Sequence, residues 1–106
     1  MTEDNPMTPA QAERLTMLAE ECAEVIHAAT KILRHGYDNH HPDREGWTNR
    51  QQLEHELQNI GAVLAGMLLA DDISIDTIDC IAAWRHKLMF TYHQGGAGQP
   101  HEGGKR

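Results

Sequence analysis

The stretch "TPAQAERLTMLAEECAEVIHAATKILRHG", Thr8 to Gly36, decides the fold. Thr8 can cap a helix, Pro9 suits the first helical position, and Gln11 stands where a capping box needs its partner. Leu15, Leu18, Cys22, Val25, Ala29 and Ile32 then recur in alternating steps of three and four, the spacing of a helical seam. Gly36 ends the run, and Arg34 and His35 before it suit the negative end of a helix. The spacing predicts a helix over 9–35, roughly 40 Å long. That is more than one small monomer needs, so it implies association.

The same helix carries Glu20, Glu21 and Glu24 within five residues. Glu21 and Glu24 share a face, as do Glu20 and Glu24, and like charges at these spacings repel. Either the face is solvated or a cation offsets the repulsion.

Outward from this stretch the chain remains helical in character. Residues 36–48, "GYDNHHPDREGWT", read as a polar connection, long enough for a functional loop. Thr48 with Gln51 forms a second capping box. Leu53, Leu57, Ile60, Leu64 and Met67 then define a helix over 49–70, with Gly61 and Gly66 inside it. Each glycine weakens a helix by up to ~1 kcal/mol relative to Ala, which close helix–helix packing would explain. Ser74 is the expected cap of a third helix over 75–93, with Ile78, Ile81, Leu88 and Tyr92 on one side. Residues 1–7 read as frayed and the Gly-rich 94–106 as a disordered tail. The expected fold is all-α: residues 8–93 as one domain, an antiparallel bundle of three to four helices completed by homo-oligomerisation.

Composition narrows the function. The 106-residue chain has a net charge of −7, which opposes binding to a nucleic-acid backbone. The acidic, polar N-terminus does not resemble a signal peptide, and no apolar run is long enough for a membrane span. A cytoplasmic protein is the expectation. Cys22 and Cys80 form no CxxC pair and read as buried small apolar residues in a reducing compartment. Eight histidines are present, but neither a C-x₂-C nor an H-x₃-H pattern accompanies His40 and His41.

Helix 2 adds a second polar set. In "EHELQN", Glu56 and Asn59 share a face and adjoin the seam at Leu57 and Ile60, as Glu21 and Glu24 adjoin it at Cys22 and Val25. Packed as an antiparallel hairpin, the two helices can bring these oxygen-bearing side chains together. Hard oxygen ligands suit Mg²⁺, with Mn²⁺ as a substitute.

"EECAE" fits E-E-x-x-E, and "ELQN" stands where a family pattern has E-x-x-D. In order, spacing and helical setting, about residues 12–92 resemble the all-α nucleoside triphosphate pyrophosphohydrolases of the MazG-like superfamily. The resemblance implies Mg²⁺-dependent hydrolysis of a nucleoside triphosphate to monophosphate and pyrophosphate by a homodimer or homotetramer. It implies Glu21, Glu24 and Glu56 as metal ligands. Glu20 would be a further ligand or would orient the attacking water, completing a catalytic set of Glu20, Glu21, Glu24 and Glu56. Asn59 occupies the position of the usual aspartate.

For substrate, Lys31 lies two turns beyond Glu24 on the same face, with Arg34 less well aligned. Lys87 and Arg85 on helix 3 are further candidates for phosphate contact. Among Trp47, Tyr37 and Trp84, Trp47 is the better platform for a base and Trp84 reads as core. Two rivals remain. "EVIH" sets Glu24 and His27 as E-x-x-H, and a dimer with two copies of Glu56 would supply a di-iron ligand set. A catalytically impaired helical interaction module is the other, favoured by the carboxylate missing at Asn59.

Overall fold

In the computed structural model, which describes residues 6–94, the order is α1 (Pro9–His35), α2 (Asn49–Leu69), α3 (Thr77–Lys87) and a 3-10 turn at Leu88–Phe90. No strand occurs among the described residues, so the protein is all-α. The readings of residues 1–5 as frayed and 95–106 as tail lie outside the described residues. Among the described residues, no helix is long and apolar enough to cross a membrane.

Both long helices begin where their capping boxes place them. Thr8 Oγ1 accepts the Gln11 amide at 3.1 Å, and Gln11 Oε1 accepts the Thr8 amide at 2.9 Å. Thr48 and Gln51 repeat this at 3.1 and 2.8 Å. Each box satisfies amides that a helix N-terminus otherwise leaves without partners. α1 stops at Gly36, whose φ of +93° is open to glycine and strained for other residues, while its N–H still reaches Ile32 O at 2.7 Å.

The chain divides into two compact units between Ile73 and Ser74. The first is an antiparallel hairpin of α1 and α2. It is tied at the loop end by Asn49 Nδ2 to Gly36 O at 3.0 Å, and at the open end by Arg14, whose Nε and Nη2 grip Asp72 at 2.6 and 3.1 Å. The connection is ordered by α2 itself: the Asn49 and Arg50 amides donate to Asn39 O and Tyr37 O, each at 2.8 Å. Arg50 also covers the Tyr37 ring at 4.4 Å and reaches Asp38 at 3.3 Å. These bonds satisfy two more free donors of the helix start.

The packed stripes differ from the expected seams. On α1 the buried and half-buried positions include Leu18, Glu21, Val25, Ala28 and Ile32; on α2 they include Leu53, Glu56, Asn59, Ile60, Val63 and Met67. Each helix is rotated toward its polar set, so Leu15 and Leu57, expected in the seam, are 46% and 47% exposed. The rotation corrects the reading of Cys22 as buried: it is exposed and free, one position outside the stripe. Two helices cover one face of each other, and small Ala28 lets them meet along the line that includes Glu21 and Glu56. The glycines also depart from expectation. A Cβ built at Gly61 or Gly66 meets nothing within 4 Å, so close packing of α1 does not account for either.

The second unit contains α3 and the 3-10 turn. Asp76, rather than Ser74, caps α3, its Oδ1 accepting the Asp79 amide at 2.8 Å, and the helix is correspondingly shorter than 75–93. An ionised carboxylate at the cap is favoured by the helix dipole, and the closer cap leaves Ser74 and Ile75 outside. The C-terminal part tightens to 3-10 and ends at Thr91, whose hydroxyl donates to Leu88 O at 3.0 Å. Cys80 is exposed and Trp84 is 50% exposed, so neither is the core residue the sequence implies; no residue of α3 is buried.

Candidate functional site

Glu56 is the most distinctive side chain in the hairpin. It is 8% exposed, one of two buried polar residues among those described, the other being Asn49. Among the described residues, no cationic side chain pairs with it, and its one hydrogen-bond partner is Gln52, one turn earlier on α2, whose Nε2 donates to Glu56 Oε2.

That amide is itself held. Gln52 Oε1 accepts Trp47 Nε1 at 2.8 Å and Arg44 Nη1 at 3.2 Å. Indole and guanidinium only donate, so the amide oxygen must face them and the NH₂ must face Glu56. A chain of donors thus runs from the loop to the buried carboxylate and leaves Oε1 of Glu56 unengaged. The sequence reading missed Gln52, although its spacing of four from Glu56 is legible as a helical pair.

Trp47, expected as a base platform, is half-buried and fixed by its N–H. Arg44 lies 5.4 Å over its ring and His55 meets it edge-on at 6.3 Å. One ring face is therefore already taken. Tyr37 is 48% exposed, with Arg50 over its ring.

The remaining expected ligands divide by exposure. Glu21 and Asn59 are half-buried on the packed stripes, whereas Glu20 and Glu24 are exposed. The antiparallel register, tied by Asn49 to Gly36 and by Arg14 to Asp72, sets Glu24 about level with Gly61, two residues beyond Asn59. Glu21 and Glu56 then lie on opposite sides of that level, separated by about 12 Å along the hairpin axis. Among the described residues, no group of three or more His, Cys, Asp or Glu side chains is gathered to hold a metal ion. His27, the partner of Glu24 in the di-iron reading, is exposed.

The expected phosphate contacts part company too. Lys31 is half-buried and Arg34 exposed, and both line a cavity of about 450 Å³ with loop residues. Arg85 and Lys87 stand in the last turn of α3, where cations complement the negative end of the helix. They belong to the second unit.

The clearest electrostatic perturbation lies elsewhere. The Arg14 guanidinium, hydrogen-bonded to Asp72, holds that carboxyl below its ordinary range, and Asp72 in turn raises Arg14. This pair fastens the open end of the hairpin.

No family model matches the chain, and searches of curated proteins and of solved structures return no similar one.

Proposed function

We propose that the protein is a Mg²⁺-dependent nucleoside triphosphate pyrophosphohydrolase, converting a (d)NTP and water to a (d)NMP and pyrophosphate, and acting as a homodimer or homotetramer. The observation that supports this reading is Glu56, a buried acidic side chain on the packed face of two helices that has no cationic partner among the described residues. Burying a carboxylate without a counter-charge is costly, and a divalent cation is the partner that hard oxygen donors select. Its unengaged oxygen and the all-oxygen donor set fit such an ion. Glu21, Glu24, Glu56 and Asn59 would hold it. Bound there, the metal would neutralise phosphate charge and lower the pKa of a bound water.

The chain's own groups would do the rest. Glu20, exposed beside the ligands, orients the attacking water or accepts its proton. Gln52 fixes the rotamer of Glu56 through the Trp47 and Arg44 bonds. Lys31 and Arg34 contact phosphate, and a base stacks on the face of Trp47 that Arg44 leaves open. Association is supported by the sparse core. Among the described residues the buried apolar ones are Ala28, Val63 and Met67, while Ile26, Leu33 and Leu69 are 64%, 84% and 87% exposed.

A catalytically impaired interaction module is the second reading, favoured because no carboxylate group is gathered among the described residues. One experiment separates the two. The protein is incubated with a panel of (d)NTPs and Mg²⁺, and pyrophosphate and orthophosphate are assayed separately. Pyrophosphate release with at least one nucleotide, lost in a folded Glu56→Gln variant, is the expected result. Orthophosphate alone, or no release from any nucleotide, overturns the hydrolase reading.

A further inference from the structure

The cavity at the loop end of the hairpin has a wall unlike the rest of the molecule. Lys31, Arg34 and His35 from α1, His40 and His41 from the connection, and Asn49 from α2 line its volume of about 450 Å³. Among the described residues, no aspartate or glutamate is part of that wall, although the chain has 16 acidic residues against 9 lysines and arginines. Asp38 and Asp43, the nearest in sequence, are placed against Arg50 at 3.3 Å and His41 at 3.8 Å. Among the described residues, Lys31 and Arg34 have no carboxylate partner.

Lys31 and Arg34 offer donors only, whereas His40 Nδ1, 2.8 Å from the His41 carbonyl, donates there and leaves Nε2 as an acceptor in the neutral ring. His41 Nδ1 accepts the Asp43 amide at 3.0 Å, which places the ring proton on Nε2. Asn49 is 5% exposed; one amide hydrogen goes to Gly36 O, and the second has no partner among the described residues. A buried donor without a partner is costly, and here it lies on the wall of a cationic cavity. Cations at the end of α1 also complement the helix dipole. The dipole, however, asks nothing of His40, His41 or Asn49, which come from other parts of the hairpin.

We propose that this cavity is a binding site for a phosphate anion of at least two charges, free or carried by a nucleotide. Several donors converging from three segments suit an acceptor-only, multiply charged group. The site shares Lys31 and Arg34 with the substrate contacts proposed above but does not rest on hydrolysis, and it needs no metal.

The test is calorimetric titration of the full chain in EDTA at low salt with inorganic phosphate, pyrophosphate, a nucleoside triphosphate and the parent nucleoside. Pyrophosphate binding in the sub-millimolar range is expected. Lys31→Gln and Arg34→Gln should each weaken it about tenfold, the scale of one charge-assisted hydrogen bond. Arg50→Gln, a cation at the same end but outside the cavity, should leave it within about twofold. Tighter binding of the triphosphate than of pyrophosphate would support the site with a nucleotide as the source. Equal binding would support it with the free anion as the source. No binding of any phosphate, binding of the nucleoside alone, or equal loss in Arg50→Gln overturns the proposal. Helical circular dichroism of each variant confirms that loss of binding is not loss of fold. Since EDTA removes any metal, failure here leaves the pyrophosphate-release assay with Mg²⁺ as an independent result.

Discussion

Replacing Gln52 by leucine should cost the hairpin about 3 kcal/mol, worked from its bonds. The amide accepts the Trp47 indole N–H at 2.8 Å, a part-buried neutral bond that contributes about 1 kcal/mol. It donates to the carboxylate of Glu56, which is 8% exposed, and a bond to a charged acceptor contributes about 1.5–3 kcal/mol. Arg44 adds little, because water can replace Gln52 at an exposed guanidinium. Leucine keeps the bulk and helix propensity of glutamine, so the loss isolates the polar bonds. Urea denaturation, followed by circular dichroism at fixed protein concentration, measures it. A second variant tests the cause. In Gln52→Leu/Glu56→Leu the buried carboxylate is gone, and at least about 1 kcal/mol should return, since removing both partners costs less than leaving one unsatisfied. A loss below about 0.5 kcal/mol in the single variant, or no recovery in the double, refutes the reasoning: Glu56 would then be satisfied by another group.

Gly61→Ala should stabilise the isolated hairpin by about 0.8–1 kcal/mol, because a Cβ there meets open space and alanine is the better helix former. A loss of stability that grows with protein concentration would instead mean that a second copy packs closely against this glycine. The Arg14–Asp72 pair predicts an acid limb. The hydrogen bond from Arg14 holds the Asp72 carboxyl below its ordinary 3.8, so its contribution is present above that value and lost as pH falls through the lower folded-state value. Asp72→Asn should lower the melting temperature near neutral pH and flatten the decline below pH 3.8; an unchanged acid limb would exclude the pair as its source. Asn59→Asp should tighten Mg²⁺ binding in calorimetry by adding charge to the proposed ligand set, with no required gain in turnover. Equal affinity in the two proteins would show that residue 59 does not face the metal.

The ends of α1 and α2 were legible because they are decided within a few residues. Thr8 with Gln11, Thr48 with Gln51, and Gly36 act through side chains and backbone groups of the same turn, and the structure places each as the pattern indicates. Ser74 failed as the cap of α3 because Asp76, two residues on, offers an ionised acceptor to the same kind of free amide. The acidic spacing on both helices was equally local, and with it the candidate residues Glu20, Glu21, Glu24, Glu56 and Asn59.

What the sequence could not decide was the rotation of each helix about its axis. An apolar stripe is broad, and Leu15, Cys22 and Leu57 fit it as well as Leu18, Val25 and Ile60 do. The partner selects which line is buried, and with one partner only one line can be. Meeting along Ala28, Val63 and Met67 places Glu56 inside, leaves Cys22 and Leu57 outside, and brings Asn49 beside the loop histidines. Capping satisfies donors within one turn of one helix. Burial depends on atoms supplied by another segment many residues away, so hydrophobic periodicity defines a stripe and tertiary packing chooses the line within it.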